Sequence, residues 1–263
     1  MAKIHGIRYA IYCSALLALS LLLPGVAGAA SAQVELAEPV LPIEDGKAAN
    51  GNATMVWVTG GDVFDSAANL GGTFPVGRIH RGQIYFHADM FTWIDNPSIS
   101  SFKPRRIFYT VEPGYNWVKN EDEIRFFIKH QSFHDVDIHI GDTESYELIG
   151  LNYRKLTNPH FELRAARYTN NKIVDYTWDF AASMTYDLPK SLGYEAYLHA
   201  WVHHVTESGN DFGRDGFTDW AAEYGFTVND GLKLFARYEN LHDIEYFGSR
   251  SDHHFMIGPK YYW

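Results

Sequence analysis

The densest cluster of side chains that could carry chemistry lies in the segment KHQSFHDVDIHIGDTESYE, between Lys129 and Glu147. His130 and Ser132 are two residues apart, so in a β-strand both side chains would lie on one face. A histidine beside a serine can take the hydroxyl proton and activate the oxygen as a nucleophile. A carboxylate returning on the next strand could then orient the imidazole. The segment therefore offers a hydrolytic site of the serine, histidine and acid type.

The same segment also offers ligands for a divalent cation. Carboxylate oxygens suit hard cations such as Ca²⁺ or Mg²⁺, whereas the histidines of the segment would suit Zn²⁺ or Cu²⁺. The candidate carboxylates are Asp135, Asp137, Asp142 and Glu144. Their spacing matches neither an EF-hand nor an HExxH motif. A third interpretation, which the sequence favours, is an acidic outer loop flanked by interfacial histidines. No cofactor is expected beyond a cation such as Ca²⁺.

The elements that must position these residues are β-strands, because apolar and polar residues alternate with period two. In the segment 174–188 the odd-even split puts aspartates on one face and aromatic residues on the other. The same pattern recurs in the segments 107–117, 217–228 and 232–239. These predicted strands are longer than the usual five or six residues. Long alternating strands are typical of β-barrels.

The N-terminus predicts export from the cytoplasm. Residues 1–32 combine a positive start, an apolar run and the small-residue sequence Ala30-Ser31-Ala32, which is typical of a secretory signal peptide. Its removal takes Lys3 and Arg8 with it, so the mature charge is 20 minus 32, or −12. Such an acidic chain does not suit nucleic-acid binding. The only cysteine is also removed, which excludes disulfides and thiolate chemistry.

The mature chain divides into residues 33–53, predicted to be a flexible periplasmic tail, and residues 54–263, predicted to be one barrel domain. The chain ends on the aromatic strand FMIGPKYYW. Here it resembles bacterial outer-membrane β-barrels, whose last strand typically ends on an aromatic residue that the insertion machinery reads. The resemblance implies the bacterial outer membrane as location and the barrel insertion machinery as partner, through the strand of Trp263. We expect a transmembrane antiparallel up-and-down barrel of twelve strands, or ten if residues 54–76 do not pair.

Charged residues of both signs are expected inside this barrel, because they alternate with the apolar face. The predicted lumen-lining residues include Arg125, Lys129, Asp179, His199, Asp219, Glu223 and Arg237. They could line a selective aqueous channel, or they could fill a narrow lumen with cross-strand ion pairs. The sequence leaves both interpretations open.

The His-x-Ser pair adds a second, local resemblance, to the lipid A 3-O-deacylases. These are small barrels with a His-x-Ser pair and a following Glu on the lipid-facing outer rim. The matching residues would be His130, Ser132 and Glu144. The resemblance implies Ser132 as nucleophile, His130 as base, Glu144 as orienting group, and lipopolysaccharide or other outer-membrane lipids as partners.

Two classes of function follow from these observations. The first is an integral outer-membrane barrel that serves as a small-solute channel or as an envelope scaffold. The alternative is an outer-leaflet lipid hydrolase with a Ser-His-Glu site. The scaffold predicts neither conductance nor lipid turnover, so bilayer conductance and acyl release separate the alternatives.

Overall fold

The structure, a computed structural model, describes residues 50–59, 66–95, 103–135, 144–171, 176–190, 195–207, 216–242 and 251–263. These residues form twelve β-strands. In chain order they are β1 (Asn50–Thr59), β2 (Ser66–Ile79), β3 (Gly82–Asp95), β4 (Lys103–Lys119), β5 (Asp122–Asp135), β6 (Glu144–Lys155), β7 (His160–Asn171), β8 (Tyr176–Asp187), β9 (Glu195–Glu207), β10 (Phe217–Thr227), β11 (Leu232–His242) and β12 (Ser251–Tyr262). No helix in the described part of the chain is long and apolar enough to cross a membrane.

Each strand pairs antiparallel with the next, and β1 pairs with β12 to close the barrel. The prediction of a twelve-stranded antiparallel up-and-down barrel is therefore confirmed, and the ten-stranded alternative is wrong. The first strand begins at Asn50 rather than at residue 54. Asn52 pairs with Tyr262, and Gly51 exchanges two backbone hydrogen bonds of 3.1 Å with Trp263. The predicted signal peptide and most of the predicted tail lie outside the described residues.

The two ends of the barrel differ in their connections. At one end, where the paired termini also lie, the two-residue turns His80-Arg81 and Asn120-Glu121 join β2 to β3 and β4 to β5. His80 and Asn120 adopt left-handed φ values of 53° and 58°. Histidine and asparagine are among the few non-glycine residue types that favour this region. The longer predicted loops connect strands at the opposite end.

The outer face of the barrel is apolar and its inner face is largely polar. Trp57 and Ile128 expose more than half of their side-chain surface, whereas the charged residues Arg125, Asp219 and Glu223 are almost fully buried. A water-soluble protein shows the opposite distribution. The alternation read from the sequence therefore assigns the faces correctly, and the distribution is that of a membrane barrel.

The interior also contains two apolar clusters, which the alternation did not predict. One includes Phe91, Trp93 and Leu241, from β3 and β11. The other includes Tyr146 and Phe217, from β6 and β10. Most members of both clusters lie toward the end with the longer connections. Aromatic residues therefore lie on both the inner and the outer face of the barrel. The alternation of apolar and polar residues does not show which aromatic residues point inward.

Candidate functional site

The His-x-Ser pair lies on β5, between β4 and β6. The register pairs Val111 of β4 with His130, and His130 with Glu147 of β6. The adjacent outward position carries Ser132, which pairs with Tyr109 on one side. Because Tyr109, Phe126, Ile128 and His130 are all exposed, this row belongs to the outer face of the barrel.

The two members of the pair differ in exposure. His130 is exposed, whereas Ser132 retains only 9% of its accessible surface. The described contacts include no hydrogen bond between these two side chains. Catalytic hydrogen bonds are often long or misaligned when no substrate is bound. The relevant geometry is therefore the two-residue separation of His130 and Ser132 on one face, and not a hydrogen bond between them in the absence of substrate. A sheltered serine beside an accessible imidazole is compatible with attack on a group that arrives from the apolar side.

The register brings Glu147, and not Glu144, opposite His130. Directly paired residues of antiparallel strands place their Cβ atoms about 4.5–5.5 Å apart. Glu147 is exposed, so its carboxylate lies on the same face as the imidazole. Glu144 pairs instead with Phe133, one step beyond Ser132, and its side chain lies outside the described residues. The role of Glu144 stays a prediction. Sequence reasoning included Glu147 in the cluster but could not select it, since the pairing depends on the length of an intervening loop.

The predicted cation ligands fall at the edge of the described chain. Asp135 is the last residue of β5, and its side chain lies outside the described residues, as do Asp137 and Asp142 entirely. Within the described ranges, no group of three or more His, Cys, Asp or Glu side chains is arranged to hold a metal ion. The proposed Ca²⁺ site therefore stays a prediction.

The inner wall of β4–β9 carries a series of buried ion pairs. Glu123 accepts hydrogen bonds from Asn116 at 3.0 Å, from Arg125 Nε at 2.8 Å and from Arg154 Nη1 at 3.1 Å. Asp179 accepts one from Arg164 Nε at 3.1 Å. Charges removed from water need such partners, because an unpaired buried charge is costly. This part of the interior is therefore a bonded network.

A second buried group lies on β9–β12 and centres on Glu223. Its carboxylate accepts hydrogen bonds from Tyr197 Oη at 2.7 Å, from Arg237 Nε at 2.8 Å and from Lys260 Nζ at 2.9 Å. Arg237 Nη1 also lies 3.9 Å from the carboxylate of Glu239, so the two cations face two carboxylates. Such a tightly bonded group restrains four side chains from four strands.

The structure places the predicted lumen residues as follows. Six of the seven lie buried inside the barrel, namely Arg125, Lys129, Asp179, Asp219, Glu223 and Arg237. His199 is half-buried, and its Nδ1 lies 2.8 Å from Thr185 Oγ1. These residues share the interior with the two apolar clusters.

A second histidine and hydroxyl pair lies on the outer face of β9 and β10. His204 Nδ1 lies 2.8 Å from Thr218 Oγ1, and the two residues are direct cross-strand partners. On the other side, His204 pairs with the exposed aromatic residue Phe180. This site has the residue types of the β5 site but no carboxylate in register with its histidine on β8 or β10.

No protein-family model and no curated protein matches this chain. Among solved structures, it is similar to outer membrane phospholipase A from Escherichia coli, with a TM-score of 0.58, 10% identity, and coverage of 81% of this chain and 92% of the other. For the calcium-bound dimer of the Salmonella typhi outer membrane phospholipase, the TM-score is 0.57 and the identity 10%, and the match covers 81% of this chain and 90% of the other. For the NanC porin, the TM-score is 0.47 and the identity 10%, and the match covers 80% of this chain and 98% of the other.

These similarities establish the fold. The chain has the closed β-barrel fold of these two outer membrane phospholipases. At 10% identity they do not transfer an activity, because one fold carries many functions. The function has to be argued from the residues of this chain.

Proposed function

We propose that this protein is an outer-membrane enzyme that hydrolyses acyl esters of lipids in the outer leaflet. The observation that carries the proposal is the row on the outer face in which His130 stands opposite Glu147, with Ser132 two residues along the same strand. Ser132 is the nucleophile, His130 the general base, and Glu147 the carboxylate that orients the imidazole. Glu144 remains the alternative carboxylate.

The reaction would proceed by acyl transfer in two steps. The Ser132 hydroxyl oxygen attacks the ester carbonyl while the His130 imidazole takes its proton, and the same imidazole then protonates the departing alcohol of the lipid. Water attacks the resulting acyl-serine with His130 again as base, which releases a fatty acid and restores the serine. The Glu147 carboxylate would hold the ring orientation and stabilise the imidazolium that forms at each step.

The surroundings of the site suit a lipid substrate. The exposed residues Phe126 and Ile128 precede His130 on the same face, so the site continues an apolar wall. The site lies toward the barrel end with the longer connections, which is the extracellular end in bacterial outer-membrane barrels. The likeness in fold to a phospholipase and the local resemblance to lipid A deacylases both favour an acyl ester as substrate. We therefore place the protein in the outer membrane, with lipopolysaccharide or phospholipid as its partner.

Acyl release from defined lipids tests the proposal. We expect the refolded protein to release fatty acid from lipopolysaccharide or from phospholipid in mixed micelles, and the two substrates tested separately distinguish the source of the ester. Ser132→Ala should abolish release while heat-modifiable gel mobility shows an intact barrel. The matched control is Thr218→Ala, which removes the hydroxyl of the second outer-face pair and should leave release unchanged. Equal release by wild type and Ser132→Ala would overturn the proposal.

A second candidate function is the passage of small polar solutes. One observation favours it: both carboxylate oxygens of Glu239 are buried and accept no hydrogen bond from any described residue, with His254 Nδ1 at 3.6 Å and Arg237 Nη1 at 3.9 Å. Buried polar atoms of this kind are usually satisfied by water, which requires room inside the barrel. Planar-bilayer conductance tests this function. Its ion selectivity should change in Arg125→Gln or Glu223→Gln, and a folded barrel without conductance would contradict it.

A further inference from the structure

A shallow groove of about 410 Å³ crosses the outer face of β1–β4 and ends beside the β5 site. We propose that this groove holds one acyl chain of the lipid whose ester is presented to Ser132. The inference rests on the proposed function and assigns the hydrolase a binding site for the hydrophobic part of its substrate. It also predicts where on the barrel the chain lies.

The groove has a floor of small residues and walls of large ones. Gly72 and Ala88 are cross-strand partners and form the floor. Leu70, Phe74 and Tyr109 rise around them, with about 40–51% of their surfaces exposed. Small residues framed by large apolar ones produce a concave strip on a wall that is otherwise convex. The volume falls within the range of small-ligand sites.

The register connects this groove to the His-x-Ser pair. One row of directly paired outward residues runs Leu70, Met90, Tyr109 and Ser132, on β2 to β5. The next row runs through Gly72, Ala88 and Val111 to His130. Neighbouring strands lie about 4.8 Å apart, so the β4 wall of the groove is one strand spacing from the nucleophile. A chain that leaves an ester at Ser132 enters the groove directly.

The far end of the groove is closed by the C-terminal residue. Trp263 lines the groove, and its indole packs on Gly51, where a side chain would overlap the ring. Two backbone hydrogen bonds of 3.1 Å hold Trp263 in place. From β4 to β1 is three strand spacings, or about 14 Å. A groove of fixed length with a closed end would favour acyl chains up to a limiting length.

The chemistry of the lining favours an acyl chain over a polar occupant. The outward side chains of the groove carry no charge. The carboxylate in the lining, Asp89, accepts hydrogen bonds of 2.8 and 2.9 Å from Asn69 of the inner wall. A phosphate headgroup would find no cationic side chain in this lining, whereas a hydrocarbon chain buries apolar surface along the whole groove.

Photo-crosslinking with a diazirine-bearing palmitic acid tests the groove without requiring catalysis. The protein is Ser132→Ala in mixed micelles, and adducts are mapped by mass spectrometry. We expect adducts concentrated on β2–β4, around Leu70 and Met90. Ala88→Leu fills the floor and should reduce labelling there about tenfold. Ala165→Leu, an alanine to leucine change on the outer face of β7, is the matched control and should have no effect.

Gly72→Ala provides a milder version of the same change. Its added carbon would lie 3.3 Å from the Phe74 ring, so only a flexible side chain must shift. It should lower labelling less than Ala88→Leu does. Adducts spread evenly over the outer face, or equal labelling in Ala88→Leu and Ala165→Leu, would overturn the groove proposal.

The acyl-release assay, run in parallel on proteins that retain Ser132, separates this proposal from the proposed function. Groove labelling without acyl release would support the groove as a lipid site and reject the hydrolase. Acyl release without preferential groove labelling would support the hydrolase and reject the groove.

Discussion

Two pairs on the described outer face of this barrel combine a histidine with a serine or threonine, and only one of them has a carboxylate in register with its histidine. His204 and Thr218 are joined by a contact of 2.8 Å, yet the partners of His204 on β8 and β10 are Phe180 and Thr218 itself. His130 has no such contact with its serine but stands opposite Glu147. The comparison shows that a hydroxyl beside an imidazole is common on an aromatic-rich wall. A third group that orients the imidazole distinguishes a candidate triad.

Removing each histidine in turn should produce the largest difference between the two pairs. His130→Ala removes the general base and should lower acyl release about a thousandfold. His204→Ala removes a surface hydrogen bond and should leave release within a factor of two or so, because isolated surface changes have small effects. Steady-state acyl release at matched amounts of folded barrel measures both. Equal losses in the two variants would abolish the distinction between the pairs.

A substitution in the Glu223 group should lower the stability of the barrel without changing the candidate catalytic site on β5. It therefore provides a reference for the effect of stability alone on acyl release. Glu223→Ala leaves Arg237 and Lys260 buried without their shared carboxylate, which should destabilise the barrel by about 3–5 kcal/mol. Urea-induced unfolding in lipid vesicles measures this change. Acyl release by the fraction that remains folded should equal that of the wild type. Lost release in a folded Glu223→Ala barrel would show that the interior takes part in the reaction.

The two candidate carboxylates for orienting His130, Glu147 and Glu144, can be compared with each other. The expected loss of acyl release is smaller than for removal of the histidine. Glu147→Gln keeps the shape of the side chain but removes the charge that would stabilise the imidazolium, so acyl release should fall about a hundredfold. Glu144→Gln should have little effect if Glu147 is the orienting group. The two variants measured side by side decide between the residue chosen by sequence separation and the one chosen by register. The reverse result would return the role to Glu144.

The fold could be predicted from the sequence because the strands of a membrane barrel alternate apolar and polar residues in a simple pattern. Alternation in segments such as 217–228 requires a strand with one apolar and one polar face, and the aromatic end at Trp263 marks the last strand. The start at Asn50 was missed because its pairing with the C-terminal segment is a contact between the ends of the chain. Small polar residues around Gly51 look like a tail when only their local composition is considered.

The candidate site was accessible only in part. The shared face of His130 and Ser132 follows from strand parity alone. The opposition of His130 and Glu147 depends on the register between β5 and β6, which the length of the intervening loop sets. The groove depends on the register of four strands and on the C-terminal residue. The alternation pattern along one strand therefore does not predict which residues of neighbouring strands are paired.

The most direct test of the catalytic assignment is covalent labelling of the serine. The folded barrel is treated with a long-chain alkyl fluorophosphonate, which reacts with activated serines, and the modified peptide is identified by mass spectrometry. We expect one adduct on Ser132, retained in His204→Ala and lost in His130→Ala. No adduct on Ser132 in the folded wild-type barrel, or an adduct that persists in His130→Ala, would contradict it.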